Sequence, residues 1–407
     1  AKSERRVRRF LNELALGLGQ RFYGELSLLT DFKRNVTGDP EAVLEAWDRS
    51  YYAERYREER YDVDRESLRR FFPYEQTLEG MFDVYQTLLG IEIKPVNDLP
   101  VWHESVTTHV IVDTRSGLPL GTFYLDMFPR EGKYKHFASF PIISARRLED
   151  GRDFRPVNVL VCNFPPPGQK QPSLLAYDEV ETLFHEFGHL LHSLLTTAEF
   201  SGFAGTSVPR DFVEAPSQML EFWLEDKDVL DRFAADYEDP SQKLPAETLE
   251  RMIAAERAFL GMRYRSQIAL AMMDLNLNTR FDDPANVDPL TLTRRAWETY
   301  YTPDPTPLDT AFAAGFGHLM GYDAAYYGYL WSEVIAADMA AVFIAAPGGF
   351  MDPDVGRRLR EAIYEPGDTR PIEDSIAAFL GRPFNQQAFL ARLGLEPETV
   401  GTSESNE

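Results

Sequence analysis

The sequence predicts a mainly α-helical fold with one small β-region, and three observations carry that reading. Apolar residues recur at helical spacing from Ser3 to Gly90 and again from Ser173 to about Leu393. Between these stretches the apolar period shortens to two, the signature of strands. Clusters of glycine and proline mark the changes of period, most plainly Phe164-Pro-Pro-Pro-Gly168.

Taken in order, Ser3 to Leu29 reads as an amphipathic helix, and helices continue from about Glu41 to Gly90 with a break near Phe72-Pro73. Val106–Val112, Gly121–Met127 and Val157–Cys162 read as strands, with Asp113-Thr-Arg-Ser-Gly117 as a hairpin turn between the first two. The following helical part is interrupted by glycine-rich loops at Ser201–Val208 and Ala313–Gly321. This divides the chain into an N-terminal helical segment (1–100), a central region (101–396) and a small polar tail (397–407) expected to be disordered. Within the central region the sheet occupies 105–163 and the helical part 173–396.

With 407 residues and 44% hydrophobic content, the chain can bury a large core. A net charge of -23 argues against a nucleic-acid partner, which needs a basic face. No run approaches the ~20 apolar residues of a membrane helix, so no membrane partner is expected. One cysteine, Cys162, cannot form an intramolecular disulfide and suits a reducing compartment, hence a cytoplasmic location.

Chemistry concentrates in Asp178-Glu-Val-Glu-Thr-Leu-Phe-His185-Glu186-Phe-Gly-His189-Leu-Leu-His192. On a helix, Asp178, Glu181, His185, His189 and His192 share one stripe, and Leu183, Phe187, Leu190, Leu191 and Leu194 lie opposite. Histidines at i and i+4 point the same way and can hold one zinc ion. Glu186 is rotated about 100° from His185, beside such an ion, where it can take a proton from a bound water. A third protein ligand is needed. His192 lies ~10 Å along a straight helix from His185, too far to share an ion, and is expected to be exposed or to line a cleft. A carboxylate from Asp211-Phe-Val-Glu214-Ala-Pro216-Ser-Gln218-Met-Leu-Glu221 fits the need, and spacing alone leaves Glu214, Glu221 and Asp211 as candidates. Glu181 is a candidate for holding an imidazole from behind. His103, His109 and His136 have no partner at ligand spacing and read as structural or surface residues.

His185-Glu-Phe-Gly-His189 together with Phe212-Val-Glu214-Ala-Pro-Ser-Gln218 resembles the signature pair of the thimet oligopeptidase family of zinc metallopeptidases, whose members include neurolysin, oligopeptidase A and dipeptidyl carboxypeptidase. Further landmarks in the family's order are Trp47-Asp-Arg-Ser-Tyr-Tyr52, Val101-Trp-His103, Tyr124-Leu-Asp126, Pro129-Arg-Glu-Gly-Lys133 and Leu160-Val-Cys-Asn-Phe164. The resemblance runs from about residue 8 to about residue 393. It implies a zincin-type fold with a deep substrate cleft, one zinc per chain held by His185, His189 and Glu214, and Glu186 as the base. The 29-residue spacing from His185 to Glu214 is that of the family's third ligand. Phe316-Gly-His318-Leu-Met-Gly-Tyr322-Asp-Ala-Ala-Tyr326-Tyr-Gly-Tyr329 is similar to a family segment whose histidine and tyrosines donate hydrogen bonds. The resemblance thus implies catalytic and substrate-binding roles for His318, Tyr326 and Tyr329, and substrate binding by Tyr322. The turn before Tyr322 is one residue shorter than in relatives, which usually carry Gly-Gly.

What the resemblance implies is hydrolysis of peptide bonds in short, unstructured oligopeptides. The alternatives are a dipeptidyl carboxypeptidase and an inactive peptide-binding fragment. Relatives carry a long helical region before the point where this chain begins, and only 184 residues precede His185. A more open cleft is therefore expected, with slower turnover of short peptides and some cleavage of long unfolded chains. Otherwise a missing N-terminal segment or a second chain completes the wall.

Overall fold

The structure, a computed structural model, describes residues 1–278, 288–302 and 310–395. The tail 397–407, expected to be disordered, lies outside them. The chain forms two compact units, each assembled from segments far apart in sequence. The first takes Ala1–Val63, Glu250–Trp331 and the described residues from Gln387; the second takes Asp64–Leu249 and Ser332–Gln386. No helix among the described residues is long and apolar enough to cross a membrane.

In the first unit the N-terminal helical stretch is two helices, Glu4–Gly17 and Gly19–Thr37, rather than one. They part at Leu18, where flanking Gly17 and Gly19 weaken helix propensity. Ser3 caps the first helix through the amide of Arg6, and Gly38 ends the second in the left-handed region at φ 71°. Their apolar faces meet helices Arg49–Tyr61 and Leu260–Leu277 around Phe22, Leu29, Tyr52, Phe259 and Met262. Buried Glu25 accepts the amides of Gly261 (3.0 Å) and Met262 (2.7 Å), satisfying the first donors of the Leu260–Leu277 helix.

The second unit is built on seven strands: β1 (Ile91–Pro95), β2 (Thr107–Asp113), β3 (Pro119–Asp126), β4 (Ala138–Ile143), β5 (Arg146–Arg147), β6 (Asp153–Phe154) and β7 (Val157–Val161). Five of them make a mixed sheet in the order β1-β2-β3-β7-β4, antiparallel except where β3 runs parallel to β7. The Asp113–Gly117 hairpin turn stands as read, with the Asp113 carboxylate accepting the amides of Arg115 and Ser116. The sheet gains two strands beyond those expected, β1 and β4. Helix Tyr177–Leu195 packs its apolar face on the sheet and on helix Tyr74–Leu89. Phe187 there stacks on Tyr85 (5.3 Å) and meets Phe82 and Phe123 edge-on or tilted (5.6 and 5.7 Å). This aromatic packing fixes the helix rotation and so fixes where its histidines point.

Candidate metal centre

His185 and His189 project from one side of helix Tyr177–Leu195, their rings 4.9 Å apart. The chain then turns back, and Glu214 sits at the joint between short helices Arg210–Val213 and Ala215–Glu221, with Pro216 in the first turn of the second. The two helical segments approach closely because Gly188 has no side chain: a Cβ there would lie 2.9 Å from the Cα of Ser217. Glu214 is buried, and its Oε2 lies 3.3 Å from His185 Nε2 and 3.1 Å from His189 Nε2. The three donor atoms fall within 4.8 Å of one another.

A tetrahedral ion with bonds of about 2.0–2.1 Å sets its donors roughly 3.3 Å apart. The His–Glu separations match that edge. Two neutral imidazoles and one carboxylate are also the donor set a divalent metal takes. Without a cation the carboxylate is shared between the rings. Burial opposes ionisation of Glu214, but hydrogen bonds from His185 and His189 outweigh it and hold the carboxyl well below the ordinary range. Burial likewise lowers His185, yet Glu214 and Glu221 together raise it well above the usual imidazole range.

Among the three candidate carboxylates, Glu214 alone joins this donor group. Glu221 instead stands 2.7 Å from His185 Nδ1, on the far side of the ring, and so takes the supporting position for which the sequence offers Glu181. That contact fixes the ring orientation and leaves Nε2 facing Glu214. Ser217 donates to the Glu214 carbonyl (2.9 Å) and lies 3.3 Å from His189 Nε2, tying the turn to the second ring.

His192 departs from expectation. It is fully buried rather than exposed or cleft-lining, both ring nitrogens lack hydrogen-bond partners, and it packs against Tyr364 (5.6 Å). From Leu190 to Thr196 every residue is buried, so the last turns of the helix are covered on all sides. Burial, with His189 adding to it, pushes His192 down to about 3 and keeps it neutral. His109 stacks on Phe123 (5.1 Å) at the edge of the core and is lowered by burial to about 4.

Several motifs scattered along the sequence meet in one buried polar knot at the ends of β3 and β7. Asp126 accepts two bonds from Arg130 (2.6 and 2.8 Å) and one from the Trp102 indole (2.9 Å). Lys133, itself buried, lies 3.0 Å from Asp126 and donates to the carbonyls of Asp126, Phe128 and Cys162. Burial would raise Asp126, but these donors hold it down at about 2. Cys162 is fully buried at the end of β7; burial first, and then the charge of Glu186, drive its thiol well above its ordinary value. The knot therefore anchors the end of β7, where Cys162 feels the Glu186 carboxylate.

In the first unit, His318 and the three tyrosines form one ring cluster. His318 lies 5.2 Å from Tyr326, 5.9 Å from Tyr329 and 6.0 Å from Tyr322, and Tyr322 stacks on Tyr329 at 5.1 Å. The shortened turn thus still brings these rings together. Its frame is Asp274, fully buried, which accepts the amides of Ala324 (2.9 Å) and Tyr326 (3.0 Å), while the Tyr326 hydroxyl donates to Gln267 (3.1 Å). Ala324 is held at φ 54°, a costly conformation for a residue with a Cβ, so the buried carboxylate organises a strained turn.

Residues 1–395 match the peptidase family M3. The chain belongs to this family. Among family members, the thimet-like oligopeptidase of Dictyostelium discoideum is 40% identical over 364 residues, covering 88% of this chain and 54% of that protein. Oligopeptidase A of Escherichia coli is 33% identical over 399 residues, covering 97% and 58%. Dipeptidyl carboxypeptidase of Salmonella typhimurium is 32% identical over 357 residues, covering 87% and 52%. The chain spans about half the length of these M3 relatives.

Proposed function

We propose that this chain hydrolyses peptide bonds in short, unstructured oligopeptides, with one zinc ion held by His185, His189 and Glu214. The convergence of these three donors, at separations suited to a tetrahedral ion, is the observation that carries the reading. Zinc, when bound there, supplies Lewis acidity toward water and toward the scissile carbonyl. Glu186, next to His185 in the chain but rotated off the ligand stripe, takes the proton from the attacking water and passes it to the leaving amine. Glu221 holds His185 in the tautomer that presents Nε2. His318 and Tyr329 donate hydrogen bonds to the substrate as its carbonyl oxygen gains charge, Tyr326 would have to release its bond to Gln267 to join them, and Tyr322 contacts the peptide. Their motif resemblance and their clustering support this assignment. A reducing, cytoplasmic setting agrees with the single buried Cys162.

Two variants test the core of the proposal. Glu186→Gln keeps the shape of the side chain and loses the base, so zinc content should stay full while turnover drops ~10²–10⁴-fold. Glu214→Ala should lose both zinc and turnover. Full zinc and activity in Glu214→Ala would sink the ligand assignment. Parallel peptides with free and blocked C-termini identify the mode. Cleavage of both fits the oligopeptidase, cleavage of the free form alone fits a dipeptidyl carboxypeptidase, and cleavage of neither fits a peptide-binding fragment.

A further inference from the structure

Helix Tyr177–Leu195 ends beside a cavity of about 460 Å³ that the metal chemistry does not use. Its walls come from Thr197–Phe200, Phe203 and the Asp368-Thr369 turn, all within the second unit. These walls are tied together. The Glu365 carbonyl accepts the amide of Thr197 (2.8 Å), and the Phe203 carbonyl accepts the amide of Asp368 (2.9 Å). Gly367, at φ 53°, lets the two loops touch, since a Cβ there would lie 2.2 Å from the Phe203 carbonyl oxygen.

The lining has two characters. Phe200 and Phe203 leave 67% and 46% of their surface open, an unusual exposure for two phenylalanines at one site. The polar groups are two carboxylates and the hydroxyls of Thr197 and Thr369, which donate to the carbonyls of Glu365 and Pro366. Glu199 is engaged by Arg147 at 2.6 Å, and Arg147 is shared with Asp153 at 3.2 Å, while Arg370, next to the lining, bonds Ser375 and the Ala362 carbonyl. The Asp368 carboxylate is half-buried, and among the described residues no side chain or amide pairs with it. The C-terminal end of a 19-residue helix lies two residues before the lining and adds negative potential nearby.

An apolar, aromatic cavity with an unpaired carboxylate suits a cation carried on an apolar stem. We infer that this cavity is a subsite for a basic side chain of a bound peptide, arginine above all, with its guanidinium on Asp368 and its plane against Phe203 or Phe200. Arginine matches both features, because its planar head pairs with a carboxylate and stacks on aromatic faces. The cavity adjoins the C-terminal end of the helix that carries His185 and His189. That the ligand belongs to a peptide substrate rests on the proposed peptidase reading; the site itself does not.

The test uses the whole zinc-loaded chain and Nα-acetyl-arginine amide, with the citrulline analogue as an uncharged isostere. Calorimetry or saturation-transfer NMR should show saturable binding of the arginine probe and about tenfold weaker binding of citrulline. Asp368→Asn should erase that preference. Phe200→Ala, at an exposed position where folding is not at stake, should weaken the arginine probe several-fold. Equal binding of the two probes, or an arginine preference that survives Asp368→Asn, overturns the inference. In parallel, peptides carrying arginine or citrulline at each of the four positions on either side of the scissile bond should show a kcat/KM preference for arginine at one position, lost in Asp368→Asn. Arginine-selective binding with no cleavage of either peptide would leave the subsite standing and defeat the peptidase reading instead.

Discussion

At the scale of single residues, the centre depends on groups that never reach the metal position. Glu221 stands 2.7 Å from His185 Nδ1, behind the ring, and holds its angle. Replacing it with Ala should lower zinc affinity about 10–100-fold while leaving the fold intact, measured by competition with a chelator. His109 makes a different prediction. Its folded value of about 4 lies below the unfolded value of ~6.5, so the imidazole is neutral in both states at neutral pH. As pH falls from about 6.5 to 4, the unfolded chain takes the proton first and stability drops, on the order of 1–3 kcal/mol. His109→Phe should remove that share of the slope in unfolding curves collected across this window. The paired histidines were legible in the sequence because helix rotation is fixed by the backbone. His192 was misread for the complementary reason: a helical stripe tells which way a residue points, and not what the rest of the chain packs over it. Glu221 passed for a rival ligand because spacing cannot separate a carboxylate in front of an imidazole from one behind it.

At the scale of elements, close approach is the controlling feature. Gly188→Ala places a methyl group against the Ser217 backbone and Leu220, forcing the helix bearing His185 and His189 away from the one bearing Glu214. A cost of about 1–3 kcal/mol is expected, read as a lower Tm together with weaker zinc binding. Asp274→Ala should unseat the turn before Tyr326, leaving the buried Tyr326 amide without its acceptor at about 1–3 kcal/mol and freeing the Ala324 amide as well. A changed near-ultraviolet tyrosine signal would report it. The three central strands were visible from their alternation, while the flanking ones were not. β1 is a five-residue run ending on Pro95, and β4 carries Pro141, which a strand tolerates here because β4 lies at the sheet's edge. Edge position is a property of the assembled sheet, so nothing local in the sequence announces it.

At the scale of the whole molecule, a net charge of -23 acts at distances that no single contact covers. Peptides of net positive charge should be captured faster than neutral ones. Their advantage in kcat/KM should shrink several-fold from about 0.01 M to 1 M salt, as the screening length falls from about 30 Å to about 3 Å. The opposite trend for cationic peptides would mean that long-range attraction plays no part in capture. The division into two units carries a further consequence, for synthesis. The first unit draws its helices from both ends of the described chain, and Arg21 reaches the carbonyl of Leu393 at 2.8 Å. The helices from Glu4 to Thr37 therefore leave the ribosome before a helix that covers part of their apolar face has been made. Their partner Leu260–Leu277 follows more than two hundred residues later, and the segment after Gln387 later still. At about 5–20 residues per second that wait lasts tens of seconds. Until then the surface that Leu260–Leu277 covers stays open, and chaperone binding to the nascent chain is the expected outcome.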